Sequence, residues 1–332
     1  MTAVLLDARL AIRGLGIATY VDRLVDAFSA DGRPPPRLWR GTGAWGPAGL
    51  ASTATRSGLF DVSPRLDPRT RRYDVVHFAS NLGPLCPGRN SVVTVYDLMR
   101  WRGSRRRDRL PRALFERALA GAGRVVAISD RTRADVEAAV PALAGQVDVI
   151  APGMRLLPAP SGPRRHLLAF GGASDPRKRT ALTVDVYRAY RAATAEPLPL
   201  VVLARAGLTP DLRRELAALG ARVVPSAPAP EVDALMASAA AVLYSTLEEG
   251  FGLPILEAAE VGTPVVMDAR ARVATEVVGR HCFLVDGPTV EDWVATLGRA
   301  LASGPVDHAL DLPGWPAAAR RYRELYEEVA GA

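Results

Sequence analysis

Short apolar runs rich in β-branched residues recur along the chain, and alanine- and leucine-rich stretches separate them. In the first half the runs are Val4–Ala8, Val75–Ala79, Val92–Tyr96, Arg124–Ile128 and Val147–Ala151. In the second half they are Leu167–Gly171, Leu200–Ala204, Arg222–Pro225, Ala241–Ser245, Pro264–Asp268 and Cys282–Asp286. The runs do not alternate with polar residues, which is typical of parallel strands buried on both faces. Strands alternating with helices predict right-handed βαβ units in doubly wound sheets.

The segment Leu157–Pro163, which contains three prolines, separates the two sets of runs. We therefore predict an α/β protein with two Rossmann-like domains, residues 1–158 and 164–314, that face each other across a cleft. Beyond Pro313 and Gly314, apolar residues at helical spacing predict a helix over residues 315–330. By pattern alone, this helix either closes the second domain or crosses back to the first.

Composition agrees with two globular domains, since the 332 residues are 48% hydrophobic and 23% charged. Residues 1–160 carry 24 arginines against 14 acidic residues, whereas the remainder has a net charge of −3. Cys86 and Cys282 do not suggest a disulfide framework, and no apolar stretch reaches the roughly 20 residues of a membrane span. The sequence therefore predicts a cytoplasmic protein that is peripheral to the membrane at most.

Lysine is nearly absent from this basic chain. Of the 42 basic residues, Lys178 is the single lysine. Drift towards arginine is expected in a genome of high GC content, so a surviving lysine indicates either chance or a position where arginine fails. A compact ammonium that must reach one phosphate oxygen is such a position.

The densest motif is the segment 245–257, which reads Ser-Thr-Leu-Glu-Glu-Gly-Phe-Gly-Leu-Pro-Ile-Leu-Glu. A strand ends at Ser245, a glycine-containing loop follows, and Pro254 marks the first turn of a helix. The free N–H groups of such a loop and helix end suit a phosphate or a hydroxyl-rich ligand. Glu249 and Glu257 could each accept hydrogen bonds from a vicinal diol. The alternative makes Glu257 a solvated first-turn residue that complements the helix dipole.

A second strand-to-helix turn spans residues 170–180, Phe-Gly-Gly-Ala-Ser-Asp-Pro-Arg-Lys-Arg-Thr. Lys178 lies within it, and Arg177 adds a further positive charge. At about 4 Å from a leaving diphosphate and an effective dielectric near 20, one ammonium contributes ~4 kcal/mol, or roughly a thousandfold in rate.

Together these motifs resemble those of the retaining glycosyltransferases of family 4, which have the GT-B fold. Residues 249–257 resemble the family's Glu-x7-Glu signature, Asp175-Pro-Arg-Lys178 its phosphate-binding turn, and the helix from Trp315 its crossover helix to the first domain. Where many members have an arginine in the glycine turn, this chain has Gly172. That difference places more of the diphosphate binding on Arg177 and Lys178.

The resemblance implies a role for each residue of the two motifs. Lys178, Glu249 and Arg177 are the implied catalytic residues, with Glu249 on the transferred sugar and Lys178 on the diphosphate. The implied donor-binding residues are Glu257 on the ribose diol together with Gly250, Phe251, Gly252, Leu253, Gly171 and Gly172.

The first half contains fewer chemical signals. Gly16 lies in a segment similar to the family's first loop, where glycine lets the backbone approach the donor phosphates or the acceptor. The family's His-Asp pair is here Tyr96-Asp97, and a tyrosine with a pKa near about 10 only donates or accepts a hydrogen bond at neutral pH. His77, at a strand end, either points towards the cleft or is a structural core residue.

Seven arginines and one aspartate are concentrated in residues 100–112, a net charge of +6 in thirteen residues. Solvation of an exposed loop is the alternative, but charges this dense repel one another unless an anion binds. The candidate anions are a lipid surface or an acidic acceptor, and nucleic acid is not favoured. The residues singled out are Arg102, Arg105, Arg106, Arg107 and Arg109.

We therefore predict a retaining hexosyltransferase that uses a nucleotide-diphosphate sugar and a hydroxyl acceptor. We expect no cofactor and no metal, since no Asp-x-Asp triplet occurs. The donor is GDP- or UDP-linked, with similarity to mannosyltransferase-like members favouring GDP-mannose, and the acceptor is a lipid-linked saccharide, a glycan or a natural product. The sequence gives no oligomeric state. The alternatives are an epimerase or hydrolase of the same fold, and a catalytically silent protein that binds membranes or anions.

Overall fold

The computed structural model describes residues 2–8, 16–39, 72–79, 88–98, 109–154, 162–172, 176–204, 207–225, 227–248, 251–271, 282–306 and 313–332. The chain divides into two compact units. The first comprises Met1–Gly153 with Pro313–Ala332, and the second comprises Met154–Leu312.

The first unit is built on a six-stranded parallel sheet. Its strands are β1 (Val4–Asp7), β2 (Arg37–Trp39), β3 (Val75–Phe78), β4 (Gly88–Val95), β5 (Ala122–Ala127) and β6 (Val147–Val149). They lie in the order β2-β1-β3-β4-β5-β6, and Leu5 lies opposite Val76 where β1 pairs with β3. The sheet packs through apolar side chains such as Val76, Val93 and Val125, as expected for strands covered on both faces.

Four helices of the first unit lie in the described residues: α1 (Gly16–Ala30), α2 (Arg109–Ala120), α3 (Asp130–Ala139) and α9 (Trp315–Gly331). The last of these, α9, follows the whole second unit in sequence, yet it packs on α1 and β4. Its buried stripe includes Trp315, Tyr322, Leu325 and Tyr326. A Cβ on Gly153 would overlap the backbone of Trp315, so only glycine allows this approach. The C-terminal helix therefore crosses back to the first unit, as the resemblance implied.

The second unit also contains a six-stranded parallel sheet. Its strands are β7 (His166–Phe170), β8 (Leu200–Leu203), β9 (Arg222–Val224), β10 (Ala239–Tyr244), β11 (Val265–Asp268) and β12 (Cys282–Val285). The order β12-β11-β10-β7-β8-β9 places β7 beside β10, with Leu168 opposite Val242. The chain runs outwards from β7 to β9 and then restarts at β10 on the other side. The junction of β7 and β10 is thus the topological switch point of a doubly wound, Rossmann-like sheet.

The helices of the second unit cover this sheet. They are α4 (Thr180–Ala193), α5 (Pro210–Ala218), α6 (Ala229–Ala237), α7 (Leu253–Glu260) and α8 (Val290–Ser303). Short 3-10 turns occur at Pro141–Leu143 in the first unit and at Pro176–Lys178 in the second. Within the described ranges, no helix is long and apolar enough to cross a membrane.

The predicted α/β class and the doubly wound sheets are confirmed, and each predicted strand is present with ends shifted by a few residues. The sequence did not reveal β2. This strand is only three residues long, follows Pro34–Pro36 and lies at the sheet edge, so it lacks a continuous apolar run.

Candidate functional site

The two predicted motifs meet at the switch point of the second sheet. The glycine turn follows β7, and the segment 245–257 follows β10, the strand beside it. In parallel sheets of this type, ligands bind outside the carboxyl ends of the strands where the order reverses. The topology therefore brings together the two segments that the sequence singled out.

Direct hydrogen bonds join the lysine turn to the segment after β10. Ser245 donates through Oγ to the Lys178 carbonyl at 2.6 Å, and the Leu247 amide donates to the Arg177 carbonyl at 3.1 Å. Ser245 Oγ also lies 2.8 Å from Thr183 Oγ1 on α4. Two successive carbonyls of the turn are thus anchored to the end of β10.

Arg179 ends this turn in a left-handed conformation, with φ 46° and ψ 45°. Among the described residues it is the only non-glycine residue with positive φ. A side chain in this region costs about 1–2 kcal/mol, and such residues cluster at functional sites. Its guanidinium Nη1 lies 2.6 Å from Oδ2 of Asp268, the last residue of β11.

Asp268 is a buried carboxylate, with 4% of its side chain exposed. Arg270 also binds it, with Nε 2.8 Å from Oδ1 and Nη2 2.7 Å from Oδ2. Burial raises the pKa of this carboxyl, but hydrogen bonds from Arg270 and Arg179 outweigh burial and hold the pKa at about 2. Asp268 is therefore ionised at neutral pH and holds two arginines at the carboxyl edge of the sheet.

Lys178 is half-buried in this turn, and Arg177 beside it is exposed. Within the described part of the chain, no carboxylate forms an ion pair with Lys178 Nζ. The ammonium is thus held on a turn whose backbone is fixed, at the edge where a ligand is expected.

Helix α7 begins where the sequence predicted, with Pro254 in its first turn. Gly252 is its N-cap and has φ 81°, a conformation that favours glycine. Phe251 before it is 4% exposed, and Glu257 on the helix is 9% exposed. Leu253, the first helical residue, is half-buried. The solvated first-turn alternative for Glu257 is therefore wrong, because the side chain is buried.

The glycine turn after β7 is tightly packed. A Cβ on Gly171 would lie 2.9 Å from Cγ1 of Val202, and the Gly171 amide donates to the Leu203 carbonyl at 2.9 Å. The Gly172 amide donates to Oγ1 of Thr180 at 3.1 Å. Packing alone therefore requires glycine at 171, and the side chain of Thr180 fixes the next amide.

Several predicted residues lie outside the described residues. They are Glu249 and Gly250 of the signature segment, and Arg102, Arg105, Arg106 and Arg107 of the arginine cluster. Arg109 is the first residue of α2. The proposed roles of these residues stay predictions.

His77 does not face a binding site. Its side chain is fully buried in the first unit, with Nδ1 2.6 Å from the Tyr326 hydroxyl and Nε2 2.7 Å from Thr94 Oγ1. Its ring stacks on Tyr322 at 4.8 Å. Burial lowers the pKa of His77 to about 3, so the imidazole is neutral. The acceptor-site interpretation of His77 was wrong, because helix α9 covers that face of β3 and supplies its partner.

Tyr96 is also largely buried. It is 7% exposed, its hydroxyl donates to the Ala79 carbonyl at 3.4 Å, and its ring packs on Tyr20 at 5.2 Å. Asp97 next to it is half-buried, and Gly16 begins α1 in an exposed position. A Cβ on Gly16 would meet no described atom within 4 Å, so packing does not explain the glycine. The acceptor roles of Tyr96, Asp97 and Gly16 stay predictions.

Sequence reasoning missed Arg179, Asp268 and Arg270. A signal was present, because an aspartate that ends a buried apolar strand needs a cationic partner. Arg179 lies within the motif, next to the single lysine, but the sequence does not indicate its partner. For metals, no group of three or more histidine, cysteine or acidic side chains in the described ranges could hold an ion.

Comparison with known proteins identifies the second unit. Residues 164–303 match the family model of the glycosyl transferases group 1. A D-inositol 3-phosphate glycosyltransferase of Thermomonospora curvata is 30% identical over 254 residues, which cover 64% of this chain and 58% of that protein. The chain thus spans less than two thirds of that relative.

Two solved structures are similar over nearly the whole chain. Sucrose-phosphate synthase of Thermosynechococcus elongatus has a TM-score of 0.70 at 17% identity, covering 99% of both chains. Anabaena Alr3699/HepE, solved with UDP and glucose, has a TM-score of 0.65 at 16% identity, covering 99% of this chain and 100% of its own. Residues 164–303 thus match the glycosyl transferases group 1 model, and the chain shares the two-domain GT-B fold of these solved structures.

Proposed function

We propose that this protein is a glycosyltransferase that moves a hexose from a nucleotide-diphosphate sugar to a hydroxyl acceptor, with retention of configuration and without a metal. One observation carries the proposal: the lysine turn after β7 and the signature segment after β10 are hydrogen-bonded to each other at the switch point of the second sheet. The group 1 match over residues 164–303 covers both segments.

In this proposal, Lys178 stabilises the leaving diphosphate. Lys178 is half-buried and is the last residue of a 3-10 turn whose carbonyls at 177 and 178 are anchored, so little reorganisation is needed as negative charge develops. Arg177 adds charge from the same turn. If the Lys178 ammonium lies at about 4 Å from the diphosphate in an effective dielectric near 20, the attraction between them is ~4 kcal/mol. Realised only in the transition state, this attraction raises the rate roughly a thousandfold.

Glu257 and the start of α7 hold the rest of the donor. The buried carboxylate of Glu257 accepts hydrogen bonds from the ribose diol, and Glu249 binds hydroxyls of the transferred sugar. At the helix start, Gly252 makes no side-chain cap, Pro254 has no N–H, and the Ile255 amide donates to the Gly252 carbonyl at 2.8 Å. The first-turn N–H proposed to bind a donor oxygen is therefore that of Leu253. Phe251, Leu253, Gly250, Gly171 and Gly172 shape the same edge.

Transfer breaks the bond between the anomeric carbon and the diphosphate oxygen, and the electron pair of that bond stays on the phosphate. The acceptor hydroxyl oxygen attacks the anomeric carbon from the face that the diphosphate leaves. Its proton passes to a phosphate oxygen, so no protein base is required. This route suits a chain in which Tyr96 replaces the family histidine and in which His77 is buried in the core.

The donor is proposed to be GDP- or UDP-linked. Sequence similarity favours a mannosyltransferase-like donor, whereas the UDP of the Anabaena structure supports a uridine nucleotide. The acceptor is proposed to be a hydroxyl compound that carries a phosphate, as the name of the Thermomonospora relative suggests, or a lipid-linked saccharide. The arginines of residues 100–112 would attract either anion at a peripheral membrane surface on the cytoplasmic side.

The test begins with calorimetry of UDP, GDP, dTDP and ADP. We expect one nucleotide to bind, and Glu257→Gln to weaken its binding by about tenfold to a hundredfold through loss of charge-assisted hydrogen bonds. Glu291→Gln, an exposed carboxylate on α8, is the matched control and should bind normally.

The sugar form of that nucleotide is then incubated with myo-inositol phosphate, hexose phosphates and alkyl hexosides. Mass spectrometry should detect a glycosylated product, whose NMR spectrum shows the donor's anomeric configuration. Free sugar or an epimer would instead indicate the hydrolase or epimerase. Absence of binding for all four nucleotides would favour the silent anion-binding protein. Activity that is abolished by EDTA and restored by Mg²⁺ would contradict metal independence.

A further inference from the structure

The backbone of Arg179 requires an explanation. Its left-handed conformation is one that glycine adopts without cost, and a long side chain there is uncommon. The surrounding structure must therefore hold it in place. Arg179 is also the residue immediately after Lys178 and the N-cap of α4.

The side chain of Arg179 reaches across the sheet edge. Arg179 follows β7, whereas Asp268 ends β11, and β10 lies between these two strands. The ion pair of 2.6 Å therefore passes over the end of β10. Because Ser245 at that end also binds the Lys178 carbonyl, the turn is fixed to the ends of both β10 and β11.

Asp268 offers a built-in comparison between its two arginines. The side chain of Arg179 is 25% exposed and that of Arg270 is 64% exposed. Arg270 lies two residues from Asp268 on the same segment, so its contacts are local. Of the two, the contact of Arg179 joins the lysine turn to β11.

We infer that Arg179 is a positioning residue: its ion pair with Asp268 holds residue 179 in the left-handed conformation and thereby fixes the turn that presents Lys178 to the ligand. The inference deepens the proposed function, on which its kinetic part rests. It assigns Arg179 no contact with the substrate, because its guanidinium is turned to a buried carboxylate.

The single lysine allows a test that needs no activity. Reductive methylation with ¹³C-formaldehyde labels Lys178 and the α-amino group alone, so a ¹H–¹³C spectrum contains one lysine signal. In the otherwise unchanged protein, we expect this signal to differ from that of free dimethyl-lysine. Arg179→Gln and Arg179→Gly should move it towards the free value, while Arg270→Gln should leave it in place.

Kinetics supply the second readout. Loss of alignment at Lys178 should lower kcat by about tenfold to a hundredfold in Arg179→Gln and Asp268→Asn, with KM for the donor within about threefold. In a Lys178→Ala background, Arg179→Gln should lower kcat by less than about twofold further, because the two residues act through one contact. Arg188→Gln, which removes an exposed positive charge outside this site, controls for loss of positive charge and should keep kcat within about threefold.

Three results would overturn the inference. An unmoved lysine signal in both Arg179 variants would show that the turn does not depend on the ion pair. Equal movement in Arg270→Gln would assign the effect to charge in general. A normal signal and normal kcat in Arg179→Gly would show that the left-handed backbone suffices without the ion pair. Absence of transferase activity in the unchanged protein would contradict the proposed function, yet the lysine spectra would still decide the inference.

Discussion

The two units contain sheets of the same size and direction, but they use their buried polar side chains differently. In the first, Tyr20, Tyr322, Thr94, His77 and Tyr326 form a continuous hydrogen-bonded chain in the interior. This row of hydrogen bonds connects α1, β3 and β4 to α9. In the second, buried polar side chains such as Thr183, Ser245 and Asp268 lie at the carboxyl edge of the sheet, around the lysine turn.

The difference separates stability from chemistry. The hydrogen-bonded chain of the first unit consists of neutral groups whose titration is suppressed by burial, which raises the pKa of Tyr322 to about 12. The second unit keeps ionised groups. Asp268 binds two arginines, and one of them, Arg179, directly follows the only lysine of the protein. Changes in the first unit should therefore lower stability and spare nucleotide binding. Changes at the edge of the second should do the reverse.

The largest expected effect is on catalysis in the second unit. Lys178→Ala should lower kcat roughly a thousandfold, since ~4 kcal/mol of transition-state attraction is lost. The melting temperature should change little, because the side chain is half-buried. Lys178→Arg should recover only part of the rate, since the planar fork does not replace a compact ammonium. Steady-state kinetics and thermal melts measure both.

Arg188→Gln is the control for this prediction, because it removes an exposed positive charge on α4 of the same unit. It should retain full activity. If Lys178→Ala kept full turnover, the lysine turn would have no chemical role and the contrast between the units would be wrong.

The next effect is the pH dependence of stability in the first unit. Burial holds the pKa of His77 at about 3 in the folded protein, against about 6.5 when unfolded. Below pH 6.5 the unfolded state binds the extra proton, so its contribution to stability is complete above this pH and is lost as pH falls towards 3. The slope is about 1.4 kcal/mol per pH unit, or about 3 kcal/mol between pH 6.5 and 4.5.

Urea unfolding at several pH values, followed by hydrogen exchange in peptides of the first unit, measures this slope. His77→Gln should flatten it. The matched control is His166→Gln in the second unit, where burial also lowers the pKa of the imidazole. That variant should leave the slope of the first unit unchanged, and a slope that persists without His77 would refute the assignment.

The smallest effect concerns a single hydroxyl. Tyr326→Phe leaves Nδ1 of His77 without its partner at 2.6 Å, which should cost about 1–3 kcal/mol of stability in the first unit. Nucleotide affinity should not change. Tyr73→Phe removes the hydroxyl of a half-buried tyrosine of the same unit outside this chain of hydrogen bonds and should cost less than about 0.5 kcal/mol. Equal losses of stability in both variants would show that the hydrogen bond from Tyr326 contributes no more than an ordinary tyrosine hydroxyl.

The sequence predicted the architecture well because buried parallel strands leave continuous apolar runs. Val4–Ala8 and Leu167–Gly171 are examples, and each corresponds to a strand. It also predicted the start of α7, since proline and glycine have strong positional preferences. The helix stripe from Trp315 correctly indicated a buried face.

The pattern of apolar and polar residues does not predict side-chain contacts between segments that are far apart in the sequence. The position of His77 near the end of β3 suggested a site, but its partners Tyr322 and Tyr326 come about 250 residues later. Helical spacing places the tyrosines of α9 on its apolar stripe but does not indicate what their hydroxyl groups bind. Likewise, the ion pair of Arg179 and Asp268 depends on the order of strands in the sheet, which places β10 between β7 and β11. The sequence pattern does not give this order.

The return of α9 to the first unit has a consequence for synthesis on the ribosome. Residues 1–153 emerge first, yet the helix that covers β3 and β4 is translated after the entire second unit. Until then, His77 and Thr94 lack the tyrosines that bind them. The second unit can therefore fold before the first has all of its segments, although domains generally fold in the order of their synthesis.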